Sequence, residues 1–334
     1  MLPSPLYVSA EYRLLVAGYK LRLCFLTLGH KGTGIFKEYE MTEILIGTPD
    51  RIKKTANAIK KLRPAYSKIL DFYEKIFTAQ EKAAAKTEIK PAQLADDIIS
   101  IKAKEKFPLF SLSEFSIDVN SSRKLFKKIC KIINKSENHM SSAAEVIFAA
   151  NENKKIDFNE LYAALLHDDN ASFGNIAAKL KTDRDALAFI TYNSIKPSLS
   201  MFAESASKYL DKDDPWEKGY CPVCGNAPVI STFESDGKRF LTCCFCWHKW
   251  TVTRLFCPFC ENKESKSLHY LFSEDEKEYR IDVCDRCNKY IKNVDTRIII
   301  RFVYPPLEQI ATLHLDIMAK EKGFESGVPL ELQV

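Results

Sequence analysis

The sequence predicts an α+β chain of several domains: an all-α N-terminal region, two small β-rich metal modules of rubredoxin or zinc-ribbon type, and a C-terminal helix. Three observations predict it. Eight cysteines lie between residues 221 and 287 as four Cys-x₂-Cys pairs: Cys221/Cys224, Cys243/Cys246, Cys257/Cys260 and Cys284/Cys287. Apolar residues recur at helical spacing from about residue 50 to residue 210. Between the cysteine pairs the pattern changes to short strands around turn residues. The implied division is 1–40, a non-native or disordered extension; 41–213, the helical domain; 214–255 and 256–304, the two modules; and 305–334, a C-terminal helix and tail.

Residues 1–40 have no clean period. The GHKGTG run lacks the third glycine or the Lys-Ser/Thr that a phosphate loop needs. Leu14 to Leu28 is the most apolar run, but Lys20 and Arg22 interrupt it and no small-residue cleavage site follows. A membrane span is not predicted, and a soluble cytoplasmic protein is expected. Lys37-Glu38 can be encoded as a ribosome-binding sequence shortly before the Met41 codon, so translation is expected to begin at Met41.

From Thr48-Pro49-Asp50 a helical pattern runs to about residue 86, in two stripes separated by Pro64. A further helix is expected from Pro91 to about Lys106, ended by Phe107–Phe110. Ser121-Ser122 reads as the cap of a helix with Leu125, Ile129, Ile132 and Ile133 on one side. Its other side carries Arg123, Lys124, Lys127, Lys128, Lys131 and Lys135, which reads as a solvated face. Helices follow at 141–150, 159–167, 172–180 and 183–194, with a last piece after Pro197 and a capping box from Thr182 to Asp185. His167 reads as a helix-end histidine. No Ser/His/Asp set or carboxylate pair can be argued, so no catalytic residue is assigned.

Asp211 to Gly219 reads as a linker. Val229–Phe233, the Asp236-Gly237 turn and Arg239–Leu241 form a hairpin, followed by a strand at 247–252. Leu268–Phe272, the acidic 273–278 turn and Tyr279–Val283 repeat the plan. A Cys-x₂-Cys turn points two thiolates at one ion, and two such turns complete a tetrahedral shell. Sequential pairing is the simplest arrangement, since each hairpin joins its own two knuckles; interleaved pairing is the alternative. Either way the shells are closed, which suits structure or electron transfer better than hydrolysis. Zinc and iron both fit four sulfurs. Cys24, Cys130 and Cys244 are spare thiols, and metal-spaced cysteines favour a reducing compartment. His248 and His269 are expected to be packing or surface groups. The whole chain has a net charge of +5, and residues 215–297 carry 13 Lys and Arg against 12 Asp and Glu, unlike a nucleic-acid-binding stripe. A zinc-ribbon nucleic-acid-binding protein is the alternative reading. Beyond Cys287 come an apolar run, Ile298–Val303, Pro305-Pro306 and a helix from Leu307 to about Lys322.

Trp216 to Gly225 (WEKGYCPVCG), Arg239–Cys243, Cys246, Trp250, Cys257, Cys260, Leu268–Tyr270, Cys284, Cys287 and Tyr290–Lys292 resemble the FdhE-type formate dehydrogenase accessory proteins. FYEKIFTAQ (72–80), FPLFSLSEFSID (107–118), ATLHLD and EKGF carry the resemblance outward, over roughly residues 48–328. The resemblance implies a cytoplasmic, non-catalytic, chaperone-like maturation protein. Its expected partner is the catalytic subunit of a molybdenum or tungsten formate dehydrogenase. It also implies two metal ions, zinc or iron, on the eight cysteines. Self-association stays open. Trp247 and Glu261 depart from the small residue the family often places after a knuckle, and Cys244 is an extra thiol inside one.

Overall fold

In a computed structural model, residues 21–25, 49–136, 138–211 and 216–328 are described. The expected start at Met41, most of the 1–40 segment, the 213/214 boundary and the last residues of the tail lie outside them. Within 1–40, β1 (Leu21–Phe25) pairs antiparallel with a strand of the metal region.

Eight helices build the N-terminal layer: α1 (Pro49–Leu62), α2 (Ser67–Ala84), α3 (Asp96–Glu105), α4 (Val119–Asn134), α5 (Ser141–Glu152), α6 (Phe158–Leu166), α7 (Asn170–Leu180) and α8 (Arg184–Ser207). Their caps follow local chemistry. Asp118, Asp157, Asp169 and Asp183 each accept a hydrogen bond from a backbone N–H in the first turn of α4, α6, α7 and α8. The expected caps at Ser121 and Thr182 are thus supplied by Asp118 and Asp183. Helix α3 starts at Asp96, not Pro91, and buries none of its side chains. The basic face of α4 is a solvated one: Lys127 pairs with Glu152 at 2.8 Å, and Arg123 lies over the Phe158 ring.

Helix α8 runs unbroken through Pro197, where two pieces are expected. Proline has no N–H for the carbonyl four residues back, which frees the oxygen of Asn193. Gln80 of α2 donates to that oxygen at 3.0 Å and to the Asn193 side chain at 3.0 Å. A partner on another helix therefore repairs the ladder. The helix is buried on nearly every face and forms the axis of the layer.

The metal region supplies β2 (Pro228–Phe233), β3 (Arg239–Cys243), β4 (Lys249–Val252), β5 (Leu268–Ser273), β6 (Tyr279–Cys284) and β7 (Lys289–Asp295). Each unit is an antiparallel three-stranded ribbon. Strand β7 is not evident from the alternation, whereas the apolar run Ile298–Val303 beyond it stands out. That run is a loop, with Ile298 and Ile300 exposed. The two ribbons are one sheet: β2 pairs parallel with β7, from Ile230 opposite Lys292 to Phe233 opposite Asp295. The strand order is β1-β5-β6-β7-β2-β3-β4, and β8 (Glu325–Ser326) also pairs β7.

The C-terminal helix is two helices, α9 (Pro305–Ala311) and α10 (Leu313–Glu321), separated at Thr312. Helix α9 packs on α1 and α2, while α10 packs on β6, β7 and β8. The pair bridges the helical layer and the sheet. No helix among the described residues is long and apolar enough to cross a membrane.

Candidate metal centres

The eight sulfurs gather in two groups in chain order: Cys221, Cys224, Cys243 and Cys246, then Cys257, Cys260, Cys284 and Cys287. Within each group the Sγ atoms lie within 4.8 Å of one another. Close pairs are 3.5 Å for Cys224–Cys243 and Cys224–Cys246, and 3.6 Å for Cys221–Cys246. In the second group they are 3.6 Å for Cys257–Cys287 and 3.7 Å for Cys260–Cys284. A tetrahedron with metal–sulfur bonds of about 2.3 Å has edges of about 3.8 Å. Each group could hold a metal ion on this geometry. No histidine joins either group among the described residues.

The four knuckles share one backbone device. The residue after the second cysteine is left-handed in each: Gly225 (φ 77°), Trp247 (φ 63°), Glu261 (φ 56°) and Asn288 (φ 54°). The turn then closes with a bond from that residue's N–H to the first cysteine's carbonyl, at 2.9 Å for Gly225 and Glu261 and 2.8 Å for Asn288. Glycine takes this conformation freely, whereas other residues pay about 1–3 kcal/mol of strain. The departures at Trp247 and Glu261 come with compensating contacts. Glu261 pairs with Lys218 at 3.1 Å and accepts the Gly219 N–H at 3.2 Å. Trp247 donates its indole N–H to Tyr192 at 3.3 Å. Gly219 itself must be glycine, since a Cβ there would stand 1.9 Å from the Pro258 carbonyl oxygen.

Two asparagines complete the sulfur environments. Asn226 donates to Cys224 Sγ at 3.5 Å, and Asn262 donates to Cys284 Sγ at 3.7 Å. Their carbonyls accept the N–H of Cys221 and Cys257, each at 2.9 Å. Such donors moderate the charge that four thiolates place on a divalent ion. Sequence reasoning did not single them out. The signal was the repeat Cys-Pro-x-Cys-x-Asn, at 221–226 and again at 257–262.

The surroundings of the two centres differ. Cys221, Cys224, Cys243 and Cys246 belong to the main apolar core. Phe107–Phe110 is clasped to the first knuckle, with Leu109 and Phe110 N–H groups donating to the Pro222 and Val223 carbonyls. Helix α8 reaches the other knuckle through Tyr192, whose hydroxyl donates to the Cys244 and Phe245 carbonyls at 2.8 and 3.0 Å. Cys244 is buried beside the group, and its own N–H is spent on Ala227. Burial holds His248 neutral, down to about 4. The second centre has a small core of its own, from Cys257, Cys284 and Leu268, and its Cys260 and Cys287 are part-exposed. His269 bonds Asp285 at 2.7 Å. His167 caps the C-terminal end of α6, is exposed and joins neither four-sulfur group.

Comparisons with known proteins agree with this architecture. The family model for the FdhE central domain matches residues 220–254. An FdhE homologue of Aquifex aeolicus is 38% identical over 144 residues, 42% of this chain and 50% of that protein. A homologue of Haemophilus ducreyi is 31% identical over 169 residues, 46% and 52% of the two chains. FdhE of Escherichia coli K12 is 34% identical over 116 residues, covering 32% and 35%. The chain spans about half the length, or less, of the curated relatives it matches. The crystal structure of FdhE from Pseudomonas aeruginosa shares the fold, with a TM-score of 0.58 at 19% identity, covering 86% of this chain and 96% of that one. The eight-cysteine pattern, the family model over residues 220–254 and these relatives all point the same way: the chain is similar to FdhE proteins.

Proposed function

We propose that this chain is an accessory protein that matures a formate dehydrogenase of the molybdenum or tungsten type, docking on its catalytic subunit in a reducing cytoplasm. The observation that carries the reading is the gathering of eight cysteines into two closed four-sulfur groups on a chain similar to FdhE proteins. In this reading Cys221, Cys224, Cys243 and Cys246 hold one ion, and Cys257, Cys260, Cys284 and Cys287 hold the other. A bound ion would tie distant parts of the chain together and lend the small ribbons stability that their own cores lack. Zinc serves this role, and iron would add one-electron transfer.

Four cysteines fill each shell, so no ligand position is left for a substrate. The protein therefore acts through its surface. The charge balance of the metal region, 13 basic against 12 acidic residues over 215–297, disfavours the nucleic-acid reading.

The test is a pull-down of the tagged full-length chain from its native cytoplasm, with metal analysis of the same sample. The expected result is co-purification of a formate dehydrogenase catalytic subunit with two metal ions per chain. In cells, C221A/C224A is expected to abolish formate dehydrogenase activity. Undiminished activity in that variant would refute the functional reading.

A further inference from the structure

Lys196 is among the least expected residues of the core. It lies on α8 beside Pro197, and its residue is only 7% exposed. Its Nζ makes no hydrogen bond and meets no carboxylate among the described residues. An unpaired buried ammonium is costly, and lysine is rarely found so. Burial pulls it well below its usual range, and negative charge on the neighbouring Cys243 and Cys246 sulfurs opposes that pull.

What surrounds it is the rear of the first centre. Nζ stands 3.5 Å from the centroid of the Trp247 ring and 5.1 Å from that of Tyr192. Trp247 follows Cys246 directly and takes the strained left-handed conformation of the knuckle. Tyr192 and Lys196 are one helical turn apart on α8, so they reach the same knuckle together. The tyrosine holds its carbonyls, and the lysine lies on its aromatic cap. The strained Trp247 conformation thus has a use: it lays an aromatic face under the ammonium.

A divalent ion in four thiolates carries a net charge of −2, and an apolar core makes that charge expensive. We propose that Lys196 is the built-in counter-cation of the first four-cysteine centre, delivered by the helical layer to stabilise the metal-loaded state. Among the described residues, the second centre has no lysine buried and unpaired as Lys196 is. Arg239, a buried cation within its electrostatic range, is already neutralised by Asp282 at 3.0 Å. Lys289 and Lys263, near its rim, sit over the Phe259 and Phe256 rings. The inference rests on the metal-binding reading above and adds a positioning role for a residue outside the metal region.

The test uses the full-length, zinc-loaded chain, challenged with a chelator while pulses of a thiol-alkylating reagent report each cysteine by mass spectrometry. In the native protein, Cys257, Cys260, Cys284 and Cys287 are expected to become reactive first, and the other four much later. Lys196→Met keeps the packing and removes the charge. It is expected to shorten protection of Cys221, Cys224, Cys243 and Cys246 by about 10- to 100-fold, the usual weight of a residue supporting a metal shell. Lys196→Arg is expected to restore most of it, which a packing role would not require. First-centre protection in K196M equal to native overturns the inference. If K196M is not recovered folded, Lys196→Gln is read the same way, and native-like protection there overturns it equally. A native chain that takes up no metal, with all eight cysteines equally reactive, instead defeats the metal reading itself and the inference with it.

Discussion

The two ribbons share a plan and are anchored at opposite ends. The first is held by its metal end: Cys221–Cys246 lies in the main core, clasped by Phe107–Phe110 and by Tyr192 and Lys196 of α8. The second is held by its far end. Its acidic hairpin turn enters the helical layer, where Glu276 bonds Arg63, just after α1, and, at 2.8 Å, His314 of α10. Beside it Tyr279 donates to the buried Glu308 at 2.7 Å, and Arg301 bonds the same carboxylate at 2.8 Å. Its cysteines stand apart in their own small cluster. The difference teaches that one motif, used twice, serves two ends. Placed in the core, the four-sulfur group meets the helical layer; placed outward, its knuckle is tied to the neighbouring ribbon's lead-in through Glu261 and Lys218.

The largest expected effect tests this asymmetry directly. Structural zinc sites contribute apparent free energies of about 10–16 kcal/mol. C221A/C224A should remove the first ion and loosen the contacts of α8 and Phe107–Phe110, lowering the main thermal transition of the whole chain. C257A/C260A should remove the second ion and leave that transition nearly in place. Equal effects on the two melting curves would break the comparison.

Next comes the bond between ribbons. Arg239 of β3 is one of the largest fully buried side chains. It reaches Asp282 of β6, Ser231 Oγ at 2.9 Å and the Phe256 carbonyl, just before Cys257, at 2.7 Å. Burial alone would push the Asp282 carboxyl up, but the Arg280 and Arg239 charges outweigh it and hold it below the usual range. R239M removes a fully buried guanidinium from Asp282, Ser231 and the Phe256 carbonyl, while Arg280 still pairs Asp282, at a cost of about 3–5 kcal/mol. Denaturant unfolding measures this; a loss below about 1 kcal/mol would mean the ribbons are held by backbone pairing alone.

The smallest effect concerns the far anchor. Burial pushes the Glu276 carboxyl up, but hydrogen bonds from His314 and Arg63 and their charges prevail and hold it at about 2. A depressed carboxylate adds stability above its unfolded value near 4.5, and that stability is lost as pH falls toward 2. E276Q should therefore be less stable than native by up to about 3 kcal/mol at neutral pH. The gap should shrink between pH 4.5 and pH 2. A gap that stays constant over that range would assign the loss to shape and not to charge.

Much of this was open to reading along the chain, because the signals are local. The Cys-x₂-Cys spacing fixes knuckle turns within a few residues, and Asp236-Gly237 and the 3.6-residue apolar period act over one turn or one helix. Those signals yield the two hairpins, most of the helices and the eight cysteines. They miss what depends on partners far away in sequence. Helix α8 continues through Pro197 because Gln80, 113 residues earlier, takes the freed carbonyl. Strand β7 lacks clear alternation because it is paired on both sides, by β6 and by β2, and packed below α10. Lys196 carries no motif at all; its meaning comes from Trp247, 51 residues on. The sequence by itself determined the knuckles and the fold class, since turn geometry and periodicity are short-range; the structure decided that the knuckles pair in chain order. Only the tertiary structure decided that the ribbons share one sheet, that the first centre lies in the core, and that a lysine stands behind it. Burial and electrostatics depend on what folds against what, and spacing does not encode that.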